Sequence, residues 1–276
     1  MSSLTAPLER VLAQFPSVLV GYSGGVDSAL LAVVARRVLG RSRAPAALGV
    51  SASLGAAQHA QARALAAQFD LRLLEVDTGE LRDPDYVRNA PSRCYFCKRE
   101  LWDRLGALAR AEGLAVVVDG TNADDGGEHR PGTAAAREHA IRSPLAEAGL
   151  TKEDVRAAAR EVGIPVWDAP AAPCLASRIR YGLFVTPDRL AQVEHAEARL
   201  RGLGVTGDLR VRHYGAEARI EVQPALLPVV RAQRDAVARD LLALGFSRVT
   251  LDLDGYGRGK LLADCAPRLE LLGERA

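Results

Sequence analysis

Ser17-Val18-Leu19-Val20-Gly21-Tyr22 runs into Ser23-Gly24-Gly25-Val26-Asp27-Ser28, and that into Ala29-Leu30-Leu31-Ala32-Val33-Val34-Ala35-Arg36. The first six residues are apolar and β-rich and the last eight apolar and helical, so a glycine-rich turn joins a strand to a helix N-terminus. Such a junction is a phosphate cradle. Glycines let the backbone approach closely, free N–H groups point at the anion, and the helix dipole adds to the attraction. The string differs from the Walker pattern, in which a Lys follows the last glycine. A tight turn without a ligand needs only the glycines, whereas the flanking Ser and Asp residues suit an anion site.

Outward from this turn, strands and helices alternate. Ala46–Ser53 reads as a strand, Ala56–Phe69 as a helix, Leu73–Asp77 as a strand, Lys98–Glu112 as a helix and Val116–Asp119 as a short strand. Thr151–Val162 is a further helix, with Thr151 as N-cap, Asp154 three residues on and Gly163 just past its end. Apolar strands separated by helices predict an α/β domain: a parallel sheet with helices on both faces. Ligands of such sheets bind at the C-terminal strand ends, where the Ser23–Ser28 turn lies. The pattern changes near residue 185. A helix over Asp188–Leu203, a hairpin of Leu209–Tyr214 and Ala218–Val222, a helix over Ala225–Leu244 and a last strand at Val249–Leu253 predict a smaller C-terminal α+β domain. The expected domains are 1–185 and 186–276.

The 276 residues suffice for one large and one smaller domain, and 48% hydrophobic with 25% charged residues describes an ordinary globular chain. A net charge of +2 gives no case for nucleic acid or a basic membrane patch. No apolar run approaches a transmembrane helix, and the N-terminus lacks a secretory pattern, so a cytoplasmic location is expected. In that compartment Cys94, Cys97, Cys174 and Cys265 stay reduced, which favours metal or catalytic roles over disulfides. The basic residues are nearly all Arg; the only lysines are Lys98, Lys152 and Lys260. Lys98 directly follows Cys97, which hints at a task for a point-charge ammonium.

Three further constellations carry chemistry. In Asp119-Gly120-Thr121-Asn122-Ala123-Asp124-Asp125 a strand ends in an acidic loop, where Asp124 and Asp125 are placed to hold Mg²⁺ or simply to form an Asx-rich turn. Cys94-Tyr95-Phe96-Cys97 offers half a zinc site, but no second pair completes it, and Cys265 reads as a small buried hydrophobe. Cys174 stands in Ala169-Pro170-Ala171-Ala172-Pro173-Cys174-Leu175-Ala176-Ser177-Arg178, an irregular segment followed by arginines. An electropositive loop of this kind favours a reactive thiolate, the alternative being a structural cysteine. Arg210 and Arg212, two apart on a strand, share one face, either solvated or binding an anion.

The Ser23–Ser28 string resembles the pyrophosphate loop of the ATP pyrophosphatase superfamily, whose members cut ATP between the α and β phosphates. Together with Arg93–Lys98, Asp119–Asp125, Arg142-Ser143-Pro144-Leu145, the Pro170–Ile179 segment and Arg210–Tyr214, it occurs in the order seen in LarE-type ATP-dependent sulfur transferases. The resemblance spans about residues 10 to 260. It departs from the family at Gly255-Tyr256-Gly257-Arg258-Gly259, where an Arg is expected directly after the Tyr.

The resemblance implies an adenine nucleotide alpha hydrolase-like fold. It also implies ATP-dependent sulfur insertion into pyridinium-3,5-biscarboxylic acid mononucleotide, a precursor of the nickel-pincer nucleotide of lactate racemase. ATP would turn a carboxylate into an acyl adenylate; Ser23, Gly24, Gly25, Asp27 and Ser28 would hold the pyrophosphate, with Asp124 and Mg²⁺ nearby. A sulfur nucleophile would then displace AMP. On this resemblance Cys174 takes the sulfur position, Ser177, Arg178, Arg210 and Arg212 bind the substrate's phosphate, and Lys98 and Glu197 belong to the site. The family has two sulfur steps. A lone cysteine gives up its own sulfur, or three cysteines hold a [4Fe–4S] cluster with one open iron. Cys94, Cys97 and Cys174 match the second.

The expected partners are a phosphate-bearing small-molecule nucleotide and a second copy of the chain, with neither nucleic acid nor membrane. Competing readings are an amide-forming ligase like NAD or GMP synthetase, which needs no cysteine at 174, and a tRNA thiolase, which should be more basic. A non-catalytic nucleotide sensor would leave the Cys174 loop and the arginine pair unexplained.

Overall fold

The computed structural model describes residues 4–127, 131–170, 172–257 and 259–263; Arg258 and Cys265 lie outside them. The chain divides into two compact units, one of Met1–Val87 with Ser92–Ala176 and one of Arg88–Pro91 with Ser177–Ala276. The change of pattern read near residue 185 lies within the Ser177–Ala276 part of the second unit.

The first unit is built on β1 (Val18–Tyr22), β2 (Ala46–Val50), β3 (Leu73–Asp77) and β4 (Val116–Val118), all parallel, in the order β3-β2-β1-β4. Alternate residues face opposite layers, as strand geometry demands. Val18, Val20, Ala46, Leu48 and Val118 pack with buried residues of the helices Ala6–Leu12, Val26–Leu39, Ala56–Gln68 and Lys152–Val162. Leu19, Ala47 and Val117 pack with Trp102, Leu105 and Ala109 of the helix Arg93–Ala111 and with Ala135 of the helix Pro131–Glu138. Each fully buried Leu or Val in these layers contributes about 1.5–3 kcal/mol. The expected parallel sheet with helices on both faces is what the chain forms.

The strand order reverses between β1 and β4. After β1 the chain adds β2 and β3 on one side, then crosses to place β4 on the other. The crevice at the C-terminal ends of β1 and β4 is therefore the topological switch point, the usual ligand position in such sheets. The helix Lys152–Val162 starts with the predicted capping box: Asp154 N donates to Thr151 Oγ1 at 3.2 Å and Thr151 N to Asp154 Oδ2 at 2.9 Å. Gly163, in the left-handed region, ends it.

The second unit carries the hairpin β5 (Leu209–His213) and β6 (Glu217–Val222), with β7 (Arg248–Leu251) parallel to β6. Its core joins Leu209, Val211, Ile220 and Val222 to Ala196 and Leu200 of the helix Pro187–Gly202 and to Val237 and Leu241 of the helix Arg234–Ala243.

Two expected helices differ. The helix read from Lys98 starts at Arg93, after Pro91 and Ser92, so Cys94 and Cys97 lie in its first turns. The helix read as Ala225–Leu244 is a 3₁₀ turn at Pro224–Leu226 followed by separate helices Leu227–Ala232 and Arg234–Ala243. The break is at Gln233, whose φ of −107° and ψ of 18° leave helical geometry. Its side-chain amide donates to the Leu203 carbonyl at 2.9 Å, a tertiary bond invisible to local periodicity.

Candidate functional site

At the end of β1 the loop is held by its own serines. Ser28 Oγ donates to the Gly25 carbonyl at 3.1 Å and accepts from Ser23 N at 3.1 Å, with Ser23 Oγ also 3.1 Å away. Gly24 has φ +74°, and a Cβ there would lie 2.8 Å from Ala62 Cβ, so both conformation and space demand glycine. The helix Val26–Leu39 begins directly behind it and directs its first N–H groups toward the loop.

The loop after β4 closes on the same turn. A Cβ on Gly120 would lie 2.9 Å from Ser28 N, so the two backbones run against each other. Asn122 Nδ2 donates to Asp27 Oδ1 at 3.1 Å, and Lys152 Nζ pairs with Asp27 Oδ2. Asp124 Oδ2 accepts from Lys152 N at 2.8 Å, and Asp125 Oδ2 from Asn122 N at 3.2 Å. Asp119 accepts from Ser143 Oγ at 2.7 Å, which ties down the Arg142–Leu145 segment as Arg142 bridges Val118. A helix N-terminus, a lysine and an amide thus surround a single carboxylate beside a glycine loop, an arrangement suited to a polyphosphate. Lys152 and Asn122 lie outside the site residues expected from the sequence. The scarcity of lysine that drew attention to Lys98 singles out Lys152 equally.

The cysteines form a second group in the same unit. The buried Arg93 Nη1 donates to the Ala176 carbonyl at 2.9 Å, so the start of the helix that carries Cys94 and Cys97 is fastened beside the Cys174 segment. Leu175 N donates to the Ser53 carbonyl at 2.9 Å, which fixes that segment against the turn after β2. Cys94 is exposed; Cys97 and Cys174 are half-buried. Burial pushes the Cys97 thiol up to about 12, Cys174, Glu80 and Cys94 add to the rise, and Lys98 opposes it. Lys98 Nζ itself lies 4.8 Å from the centre of the buried Trp102 ring. Among the described residues no three His, Cys, Asp or Glu side chains converge on a position for a single metal ion.

Three arginines form a third group, in the second unit. Arg178 makes two bonds to Glu197, Nε–Oε1 at 2.9 Å and Nη2–Oε2 at 3.2 Å, and Glu197 Oε1 also accepts from Val211 N at 3.1 Å. Arg212 grips Glu221 Oε2 through Nε at 3.0 Å and Nη2 at 2.8 Å, and its Nη1 donates to the Ser177 carbonyl at 3.1 Å. Arg210 lies over the Tyr256 ring at 5.0 Å and donates to the Leu209 carbonyl at 2.7 Å. All three are buried, so the strand face is enclosed rather than solvated. Burial lowers the Arg210 pKa, with the Arg178 charge as the next cause, the mark of crowded positive charge. An anion relieves such crowding.

The family model described as NAD synthase matches residues 3–84, which hold the glycine loop and end before the first cysteine. A pyridinium-3,5-bisthiocarboxylic acid mononucleotide synthase of Lactiplantibacillus plantarum is 36% identical over 261 residues, 95% of this chain and 94% of that protein. An uncharacterized protein of Synechocystis sp. is 43% identical over 256 residues, 92% of this chain and 95% of its own. An uncharacterized protein of Methanocaldococcus jannaschii is 29% identical over 239 residues, 87% of this chain and 90% of its own.

Proposed function

The chain belongs to the family of ATP-dependent sulfur transferases that includes the Lactiplantibacillus plantarum synthase, and from that membership we propose that it inserts sulfur into pyridinium-3,5-biscarboxylic acid mononucleotide on the way to the nickel-pincer nucleotide. A carboxylate resists nucleophilic attack because its leaving group would be oxide. In the proposed reaction a substrate carboxylate oxygen attacks the α-phosphorus of ATP, and pyrophosphate leaves into the cradle of Ser23, Gly24, Gly25, Asp27 and Ser28. Lys152 and Asn122, now bonded to Asp27, are placed to meet the phosphates. Mg²⁺ takes few carboxylates and keeps waters and phosphate oxygens, so the sparse carboxylates Asp27 and Asp124 suit it. The enclosed Arg178, Arg210 and Arg212, with Ser177, bind the phosphate of the mononucleotide, and Glu197 orients Arg178.

The sulfur step rests on the cysteines. The observation that carries it is the Arg93 bond to the Ala176 carbonyl, which brings the Cys94–Cys97 helix start to the Cys174 segment. Thiolates are the usual ligands of a [4Fe–4S] cluster, and these three thiols from two fastened segments are of that ligand type. Cys94, Cys97 and Cys174 would hold it. Bound there, it would supply a replaceable sulfur site, so that Cys174 need not spend its own sulfur. Lys98, over Trp102, keeps a positive charge beside the thiols as they ionise.

The NAD synthase match covers only the nucleotide-binding third, which an amide-forming ligase would share. The similarity to the pyridinium-3,5-bisthiocarboxylic acid mononucleotide synthase spans 95% of this chain. Replacement of Cys94 by Ala in anaerobically purified protein tests the cluster. Loss of most bound iron together with loss of repeated turnover is expected; full iron content and repeated turnover would overturn it.

A further inference from the structure

Glu80 is 3% exposed, and its two carboxylate oxygens differ in their surroundings. Oε1 accepts from Ser51 Oγ at 2.5 Å, whereas Oε2 is buried with no hydrogen-bond partner among the described residues. An ionised carboxylate only accepts, and a buried acceptor left bare costs about 1–3 kcal/mol or more. Such an oxygen calls for a donor beyond the described residues, and a small ligand is one. Its place is set by the turn after β2. Ser51 holds Glu80, Ser51 Oγ accepts from Ser53 N at 3.1 Å, Ser53 Oγ meets the buried Tyr86 hydroxyl at 2.6 Å, and the Ser53 carbonyl accepts from Leu175 N at 2.9 Å, one residue past Cys174. Ser51 and Ser53 therefore connect Glu80, Tyr86 and the Cys174 segment through one chain of hydrogen bonds. Glu80 and Cys174 both act electrostatically on Cys97 and on Tyr86.

We infer that Glu80 docks an S–H group of a small inorganic sulfur donor, neutral hydrogen sulfide, and accepts one proton from it, leaving hydrosulfide as the nucleophile. The inference rests on the sulfur-transfer reading above. The S–H bond breaks, the proton passes to Oε2, and the electron pair stays on sulfur. That sulfur forms the C–S bond to the acyl carbon as the C–O bond to AMP breaks, and AMP leaves with that pair. Nothing is oxidised or reduced.

The test is multiple-turnover kinetics of the anaerobic holoenzyme with sodium sulfide, together with iron content. Glu80→Gln should raise KM for sulfide at least tenfold and lower kcat, while KM for ATP and iron content stay at wild-type values. Ser51→Ala, which keeps the charge but loosens it, should raise the sulfide KM less, and it serves if Glu80→Gln does not fold. An unchanged sulfide KM in whichever variant folds, or a rise only in proportion to lost iron, would overturn the inference alone. A wild-type protein that turns over once whatever the sulfide concentration would overturn both it and the replenished-sulfur reading.

Discussion

Arg212 and Glu221 are both buried and share two hydrogen bonds, so removing one charge strands the other. Replacing Glu221 by Ala should cost about 3–5 kcal/mol, measured as a lower denaturant midpoint, because the guanidinium left behind has neither water nor a carboxylate. His213, at the end of the same strand, is buried and neutral: Nδ1 accepts from Gly215 N at 3.1 Å, and Nε2 lies 3.0 Å from Gln192 Oε1. Burial first, and the Arg189 charge second, lower its pKa to about 4. The unfolded chain takes up that proton near pH 6.5, so the stability His213 contributes is present above that pH and fades as pH falls toward 4. Thermal melts between pH 7.5 and 4.5 should show wild type losing more melting temperature than His213→Gln. Equal losses would deny the neutral buried state. The arginines were legible from their spacing, and Glu197 from resemblance, but Glu221 was not. It stands opposite Arg210 and diagonal to Arg212 in the β5–β6 register, a relation only strand pairing creates. Glu80 was equally hidden, since its meaning comes from an unmatched oxygen rather than from any motif.

At the scale of elements, the strand–loop–helix from Val18 to Leu39 was readable because glycine, serine and apolar periodicity all agree there. Its weakest tolerance is at Gly24. Replacement by Ala combines a positive φ with a 2.8 Å approach to Ala62 Cβ, which must push the loop or the helix Ala56–Gln68 away. Gly24→Ala should therefore weaken ATP binding at least tenfold by calorimetry while far-UV circular dichroism stays unchanged; wild-type affinity would remove the loop from the nucleotide site. The start of the Arg93–Ala111 helix was harder to read. Cys94-Tyr95-Phe96-Cys97 reads as half a zinc site, and local sequence does not mark it as the first turn of a helix. The buried Arg93 bond to the Ala176 carbonyl supplies the missing constraint, and it joins residues far apart in sequence.

Over the whole molecule, alternation of strands and helices was enough to predict the parallel sheet, and the switch between β1 and β4 explains why the glycine loop and the Gly120–Asn122 loop meet. The composition of the second unit was less legible. Arg88–Pro91 belongs to it because Asn89 Nδ2 donates to the carbonyls of Ile179, Arg180 and Leu183, bonds that no local pattern announces. Among the described residues no helix is long and apolar enough to cross a membrane. In the proposed function, ATP activates a carboxylate for sulfur carried on a replenishable three-cysteine site. The most direct measurement is intact mass of the anaerobically purified protein, with product counted, before and after incubation with ATP, Mg²⁺, the pyridinium mononucleotide and excess sulfide. Thiolated product in excess of enzyme with an unchanged polypeptide mass is predicted. Loss of the elements of hydrogen sulfide, mapped to Cys174, with no more than one turnover would contradict it.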